Sequence, residues 1–252
     1  MKYSPFIYSL AAYAIGMGGL TVFILFTGGW SFMPFHVDSP ASMNSTLATA
    51  IDLALVTLFA VQHSVMARPA FKARWTKIIP ASCERATYTL VSGVLMVVIS
   101  ILWQPIEGTI WHVDSKFATH VITGMHLLGW TIAIIATFLI DHFELFGLKQ
   151  AWTAASGKPA TEPPFTDSWL YKVVRHPLQL GIFLGIWIAP TMSAGHLLLS
   201  VSMTVYIFIG LYFEEKDLMK NLGEEYVAYQ QRVPKLIPFT KLATSGAKNE
   251  NQ

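Results

Sequence analysis

The sequence predicts an all-α, polytopic integral membrane protein with five to six transmembrane helices and a C-terminal helical hairpin. Three observations carry that expectation. Of 252 residues, 53% are hydrophobic and only 13% charged, about half the ~25% charged residues of a soluble domain. Mean hydropathy is +0.48. The apolar residues also gather in uncharged or nearly uncharged runs, several as long as the ~20 residues a membrane crossing needs. A net charge of +2 gives no sign of a nucleic-acid partner, so the expected surroundings are the lipid bilayer.

The runs fall at residues 6–28, 47–67, 86–104, 119–141, 177–190 and 196–213. The first follows a single lysine, Lys2, is longer than a secretory-signal core and lacks an A-x-A site, so it reads as a retained helix. Its GMGGL stretch (16–20) has no preceding strand, and small-residue helix packing explains it better than a nucleotide loop. The fifth run is short. Pro190 and Gly195 separate it from the sixth, so these two form a tight hairpin that crosses fully or only in part. The stretch 156–165 is turn-rich and 244–252 reads as a disordered end. One cysteine, Cys83, leaves no internal disulfide.

Loop charges set the expected orientation. Arg68, Lys72, Arg74, Lys77 and Arg85 lie between runs two and three, and Lys149, Lys158, Lys172 and Arg175 precede run five. The tail adds Lys216, Lys220, Arg232, Lys235, Lys241 and Lys248, whereas 29–46 has no Lys or Arg and 105–118 only Lys116. The positive-inside rule then puts both termini and both basic loops in the cytoplasm, the simplest host being a bacterial inner membrane.

Ionisable residues in or beside spans are candidates for function, because hydrocarbon penalises them. Run two carries Asp52, Gln62 and His63, followed by Arg68; Asp52, Val56, Phe59 and His63 share a helix face. Run four ends in Asp141, His142 and Glu144. Run five opens with Arg175 and His176, and run six closes with Glu214 and Glu215. All four groups are expected at the cytoplasmic edge, around one polar pocket facing a cytoplasmic cosubstrate. The bland alternative is headgroup anchoring, which suffices for Arg74, Lys77, Lys216 and Lys220. His120, His126 and His196 read as structural. No H-x-x-x-H or Cys pairing exists, and no metal is expected. Gly181, Gly185 and Ala189 form a small-residue ladder, either for helix packing or as space for a flat ligand beside His176. Pro177 suits a first helical turn, making His176 the cap.

RHPLQLG (175–181), an apolar hairpin and EEKDLMKNLGEEYVAYQQRVPKLIP (214–238) resemble the membrane methyltransferases of the isoprenylcysteine carboxyl methyltransferase and phospholipid methyltransferase superfamily. The tail match comprises Gly223, Tyr226, Tyr229, Val233, Pro234, Ile237 and Pro238. VQHSVMARPAFKARW (61–75), CERATYTL (83–90), WQPIEGTIW (103–111) and DHFELFGLKQ (141–150) look, more narrowly, like the methanethiol S-methyltransferases. The apolar runs and loop charges give one membrane domain over 1–252, with four helices in 1–141 and a cytoplasmic loop at 142–176, and the resemblance implies that the hairpin and tail at 177–238 enclose S-adenosylmethionine. It implies Arg175, His176, Pro177, Gln179, Gly181, Glu214, Glu215, Tyr226 and Arg232 as cofactor-lining residues. Gln179 departs from the family, which has an aromatic ring there.

The implied substrate is a small volatile thiol, methylated by in-line displacement. A thiol titrates near or above cysteine's ~8.5, so a base helps. His63 is the expected base, oriented by Asp52 or Asp141, with Arg68 supplying a field that favours thiolate. Three alternatives remain open at this level: a phospholipid amine or prenylcysteine acceptor, an NADPH-dependent membrane reductase, and a non-enzymatic membrane scaffold.

Overall fold

A computed structural model describes residues 3–30, 32–158 and 165–240. Its elements are α1 (Ser4–Thr27), α2 (Ser45–Ala67), α3 (Pro69–Trp75), a 3₁₀ turn (Ala81–Cys83), α4 (Glu84–Leu102), β1 (Thr109–His112) and α5 (Lys116–Ile140). There follow α6 (His142–Leu145), α7 (Leu148–Ser156), α8 (Leu170–Val173), α9 (Pro177–Trp187), β2 (Thr191–Ser193), α10 (Ala194–Leu222) and α11 (Glu224–Arg232). Among the described residues five helical stretches, containing α1, α2, α4, α5 and α10, are long and apolar enough to cross a membrane. The protein is an all-α polytopic membrane protein.

The helix starts follow from local chemistry. At one end of the bundle, Asn44, Ser115 and Ser193 cap α2, α5 and α10 with side-chain oxygens that accept from first-turn N–H groups. At the other end, which holds most of the Lys and Arg and is termed here the basic end, Pro5, Pro69 and Pro177 open α1, α3 and α9, where a missing N–H costs nothing.

The short fifth run becomes α9, 11 residues or ~16 Å of helix, too short to cross alone. Extended chain completes the path. β2 pairs antiparallel with β1, Trp111 Nε1–H donates to the Ala189 carbonyl at 3.0 Å and Val113 N–H to that of Pro190 at 3.0 Å. This small strand end, unforeseen in the sequence, ties the α9–α10 turn to the connection between α4 and α5. α10 runs past the predicted stop at residue 213, through Leu222, so Glu214 and Glu215 sit inside a helix rather than at its close. The 142–176 stretch folds into α6, α7 and α8 rather than open loop. Residues 159–164 of the turn-rich stretch, and the expected disordered end at 244–252, lie outside the described residues.

Six helices form a ring in the order α1, α4, α2, α10, α9, α5. Glycines make two of the contacts tight. Gly16 and Gly19 of α1 face Thr89 and Gly93 of α4, and Gly129 of α5 faces Gly181 and Gly185 of α9. In lipid, close backbone approach replaces the hydrophobic effect as the packing force. α1 meets α5 through Phe23, edge-on to Trp130 at 6.2 Å. These rings, with Phe26, Phe59, Trp103 and Met203, belong to the main core cluster.

Candidate active site

The ring encloses a cavity of about 270 Å³, to which all six helices contribute. Its walls are mostly apolar, and its polar residues cluster toward the basic end. On one wall stands His63, ringed by aromatics: Phe59 stacks on it at 5.1 Å, Tyr88 tilts over it at 4.8 Å and Tyr206 meets it edge-on at 6.2 Å. Both ring nitrogens are engaged. The Tyr88 hydroxyl is 2.5 Å from Nε2 and the Ser92 hydroxyl 3.1 Å from Nδ1. Tyr88 and Ser92 are one turn apart on α4, which is why they reach the same imidazole. Across the cavity the buried His142 bonds Thr137 Oγ1 at 2.7 Å and the Tyr13 hydroxyl at 2.8 Å. Burial pushes its pKa down, against the pull of Asp141.

Beyond the cavity, at the basic end, the two signature elements lock together. The N–H groups of Arg175 and His176 donate to the carbonyls of Pro234 and Lys235 at 2.9 and 3.2 Å. Arg175 donates from Nε and Nη2 to Glu215 Oε1 at 2.9 and 2.6 Å, and from Nη1 to the carbonyls of Val233 and Gln230. His176 Nε2 is 3.2 Å from the same carboxylate and Lys235 Nζ is 2.8 Å from its second oxygen. Glu215 is thus buried and saturated by its own chain. Glu214 is different: it is exposed, and its Oε2 accepts from Gln179 Nε2 at 3.3 Å. Gln179 therefore sets an amide against the more exposed member of the acid pair, whose Oε2 also lies 3.9 Å from His176 Nδ1.

Several expected site residues lie elsewhere. Asp52 is not beside His63. It is buried near the strand end, where its Oδ1 accepts from Gln104 N–H at 2.8 Å. Eleven residues keep two side chains on nearly one face but separate them by ~16 Å along the axis. Of the run-two group, Asp52 therefore stands apart, while His63 and the groups of runs four, five and six lie toward the basic end. Asp141 caps α6 and accepts from Lys149 Nζ at 2.6 Å. Burial would raise its pKa, but Lys149 and the Glu144 N–H outweigh it and hold the carboxyl low. Arg68 stacks 4.9 Å above the Phe213 ring and faces Asp217 at 3.5 Å, two-fifths exposed. Its charge is therefore spent outside the cavity. Gly181 is packing, not ligand space, since a methyl there would fall 2.5 Å from the backbone of Ala133 and Gly129. Tyr226 is buried in the tail's own core with Tyr229 and Val233; burial and Glu215 push its pKa up to about 12. Arg232 is exposed and faces Asp167 at 3.7 Å. Pro177 opens α9, directly before Leu178, which lines the cavity.

Tyr88, Ser92, Tyr206 and Thr137, none of them among the expected site residues, build the polar wall instead. Their signal was present: hydroxyls at helical spacing within apolar runs. Among the described residues no three His, Cys, Asp or Glu side chains group to hold a metal ion.

No family model matches the chain, and no solved structure matches it. Curated relatives do. A methanethiol S-methyltransferase of a Pseudomonas species is 44% identical over 237 residues, 94% of this chain and 91% of that one. The Pseudomonas deceptionensis enzyme of that name is 46% identical over 206 residues, 82% and 79% of the two chains. The Mycobacterium tuberculosis enzyme is 39% identical over 238 residues, 94% and 97%. At this identity over nearly the whole length, the chain belongs to the methanethiol S-methyltransferase family and is a membrane methyltransferase.

Proposed function

We propose that the chain methylates methanethiol to dimethyl sulfide with S-adenosylmethionine as donor. The observation that carries this reading is His63, held at both ring nitrogens on the wall of a small apolar cavity, in a chain whose relatives bear that enzyme's name. When bound, S-adenosylmethionine supplies a methyl group on a positively charged sulfur, which leaves as an uncharged thioether. The chemistry of the residues fits it. Aromatic walls suit a sulfonium, and Glu214, exposed beside Gln179, offers an acceptor for amino or hydroxyl groups.

The chain's own task is to present a thiolate. An apolar cavity opposes that ionisation, so a base within reach is required. We assign His63 this role: it accepts the thiol proton at Nε2, a lone pair that Tyr88 holds by hydrogen bonding until the thiol takes its place. Ser92 keeps Nδ1 protonated and fixes the tautomer. The thiol S–H bond breaks, the imidazole keeps the proton as imidazolium, and the thiol's electron pair would form the new carbon–sulfur bond as the donor's methyl–sulfur bond breaks with its electrons left on the donor sulfur. The ring gains one positive charge as the donor sulfur loses one, so the cavity's net charge is unchanged. Asp52, Asp141 and Arg68 have no step here. The basic end faces the cytoplasm, on the charge rule, where the donor is supplied.

Purified protein in detergent, given S-adenosylmethionine and methanethiol, is expected to release dimethyl sulfide, read by gas chromatography. No dimethyl sulfide, with methyl transfer to a lipid extract instead, overturns the proposal in favour of a lipid acceptor. NADPH binding without any methyl transfer favours a reductase.

A further inference from the structure

The cavity is polar at one end and apolar at the other, and the two ends lie at different depths. At ~1.5 Å per residue, His63 and Tyr88 lie ~6 Å from the ends of α2 and α4 nearest the basic end. Phe59, Trp130 and Met96 lie deeper, at ~12, ~15 and ~18 Å on the same count. With Phe23 and Met203 they make the far end of the cavity, and four of these belong to the main core.

Trp130 is the largest side chain at that end, and the bundle is built around it. Gly185 leaves room for the indole, since a methyl on that glycine would fall 2.5 Å from Cε2. Phe23 backs the ring edge-on, and only 4% of Trp130 is exposed. A ring held by a glycine seat on one side and an aromatic on another cannot swing aside as a methionine can. A thiol whose sulfur sits at His63 shares its cavity with the apolar side chains of this end, so its alkyl group extends toward them.

We propose that Trp130 is the end wall that limits how long the acceptor's alkyl group can be, so that the enzyme favours short-chain thiols. This rests on the thiol-methylation reading above and adds the residue that sets substrate length. Methanethiol fits the space below the wall, whereas a butyl chain meets the indole.

The test compares kcat/KM for methanethiol and 1-butanethiol, with S-adenosylmethionine, in the purified full-length protein. Wild type is expected to favour methanethiol, and Trp130→Ala to shift the ratio toward butanethiol by ~10-fold or more, the scale on which a hydrophobic pocket discriminates chain length. Met96→Ala, at the same end on a different helix, is expected to shift it less in the same direction, and serves if Trp130→Ala does not fold. An unchanged ratio in a folded variant, or a wild type that uses both thiols equally, overturns the end wall while leaving thiol methylation intact. A wild type that makes no dimethyl sulfide overturns both.

Discussion

At His63 and at the acid pair, neighbouring side chains of similar chemistry have different work. His63 meets the cavity while both nitrogens are held by α4, and it is the base in the proposed reaction. His63→Ala is expected to lower kcat by ~10²–10⁴-fold, the usual worth of a general base, with donor affinity in a calorimetric titration little changed. Tyr88→Phe keeps the ring but frees Nε2, and is expected to cost less. Equal loss of donor binding and turnover in His63→Ala would sink the base assignment. Glu215 and Glu214 divide in the same way. Glu215→Gln removes the buried partner of Arg175, His176 and Lys235, a change of the kind that costs ~3–5 kcal/mol, and should lower the thermal midpoint sharply. Glu214→Gln should leave the midpoint alone and weaken donor binding. The pair was legible as a feature; its division was not, because adjacent positions on a helix point ~100° apart and only the fold says which faces the tail.

Among the elements, α9 depends on its glycines. At Gly181 even a methyl overlaps α5 backbone, whereas at Gly124 and Gly210 nothing lies within 4 Å. Gly181→Ala is therefore expected to destabilise by ~1–3 kcal/mol through overpacking. Gly124→Ala and Gly210→Ala should be neutral or gain up to ~1 kcal/mol from helix propensity. Thermal unfolding in detergent checks this, and a stable Gly181→Ala would contradict the seating of α9 on α5. The ladder of small residues told that α9 packs closely on something. Its partner is a matter of helix order around the ring, which spacing within one helix does not contain. Helical periodicity misled at Asp52 for a related reason: it reports the face a residue occupies and is blind to depth.

For the whole molecule, charge asymmetry and the strand end make the orientation testable. Cys83, the one cysteine in the sequence, is buried, so introduced thiols can be read against a quiet background. Asp114→Cys, at a fully exposed site beside β1, is expected to react with an impermeant maleimide on intact cells. Lys220→Cys, in the last turn of α10, should react only after lysis. The reverse pattern would place the basic end outside and remove the donor from reach of the site.

Hydropathy alone determined the class of the protein and nearly every span, because lipid demands long apolar helices whatever they later touch. The charge pattern distinguished the two ends, and the C-terminal motif marked where RHP and the tail would matter. Only the tertiary structure decided that these two motifs hydrogen-bond to each other, that His63 answers to Tyr88 and Ser92 rather than to an aspartate, and that Trp130 lines the same cavity. Those relations join side chains on different helices, and their strength depends on distances that close only when the ring does.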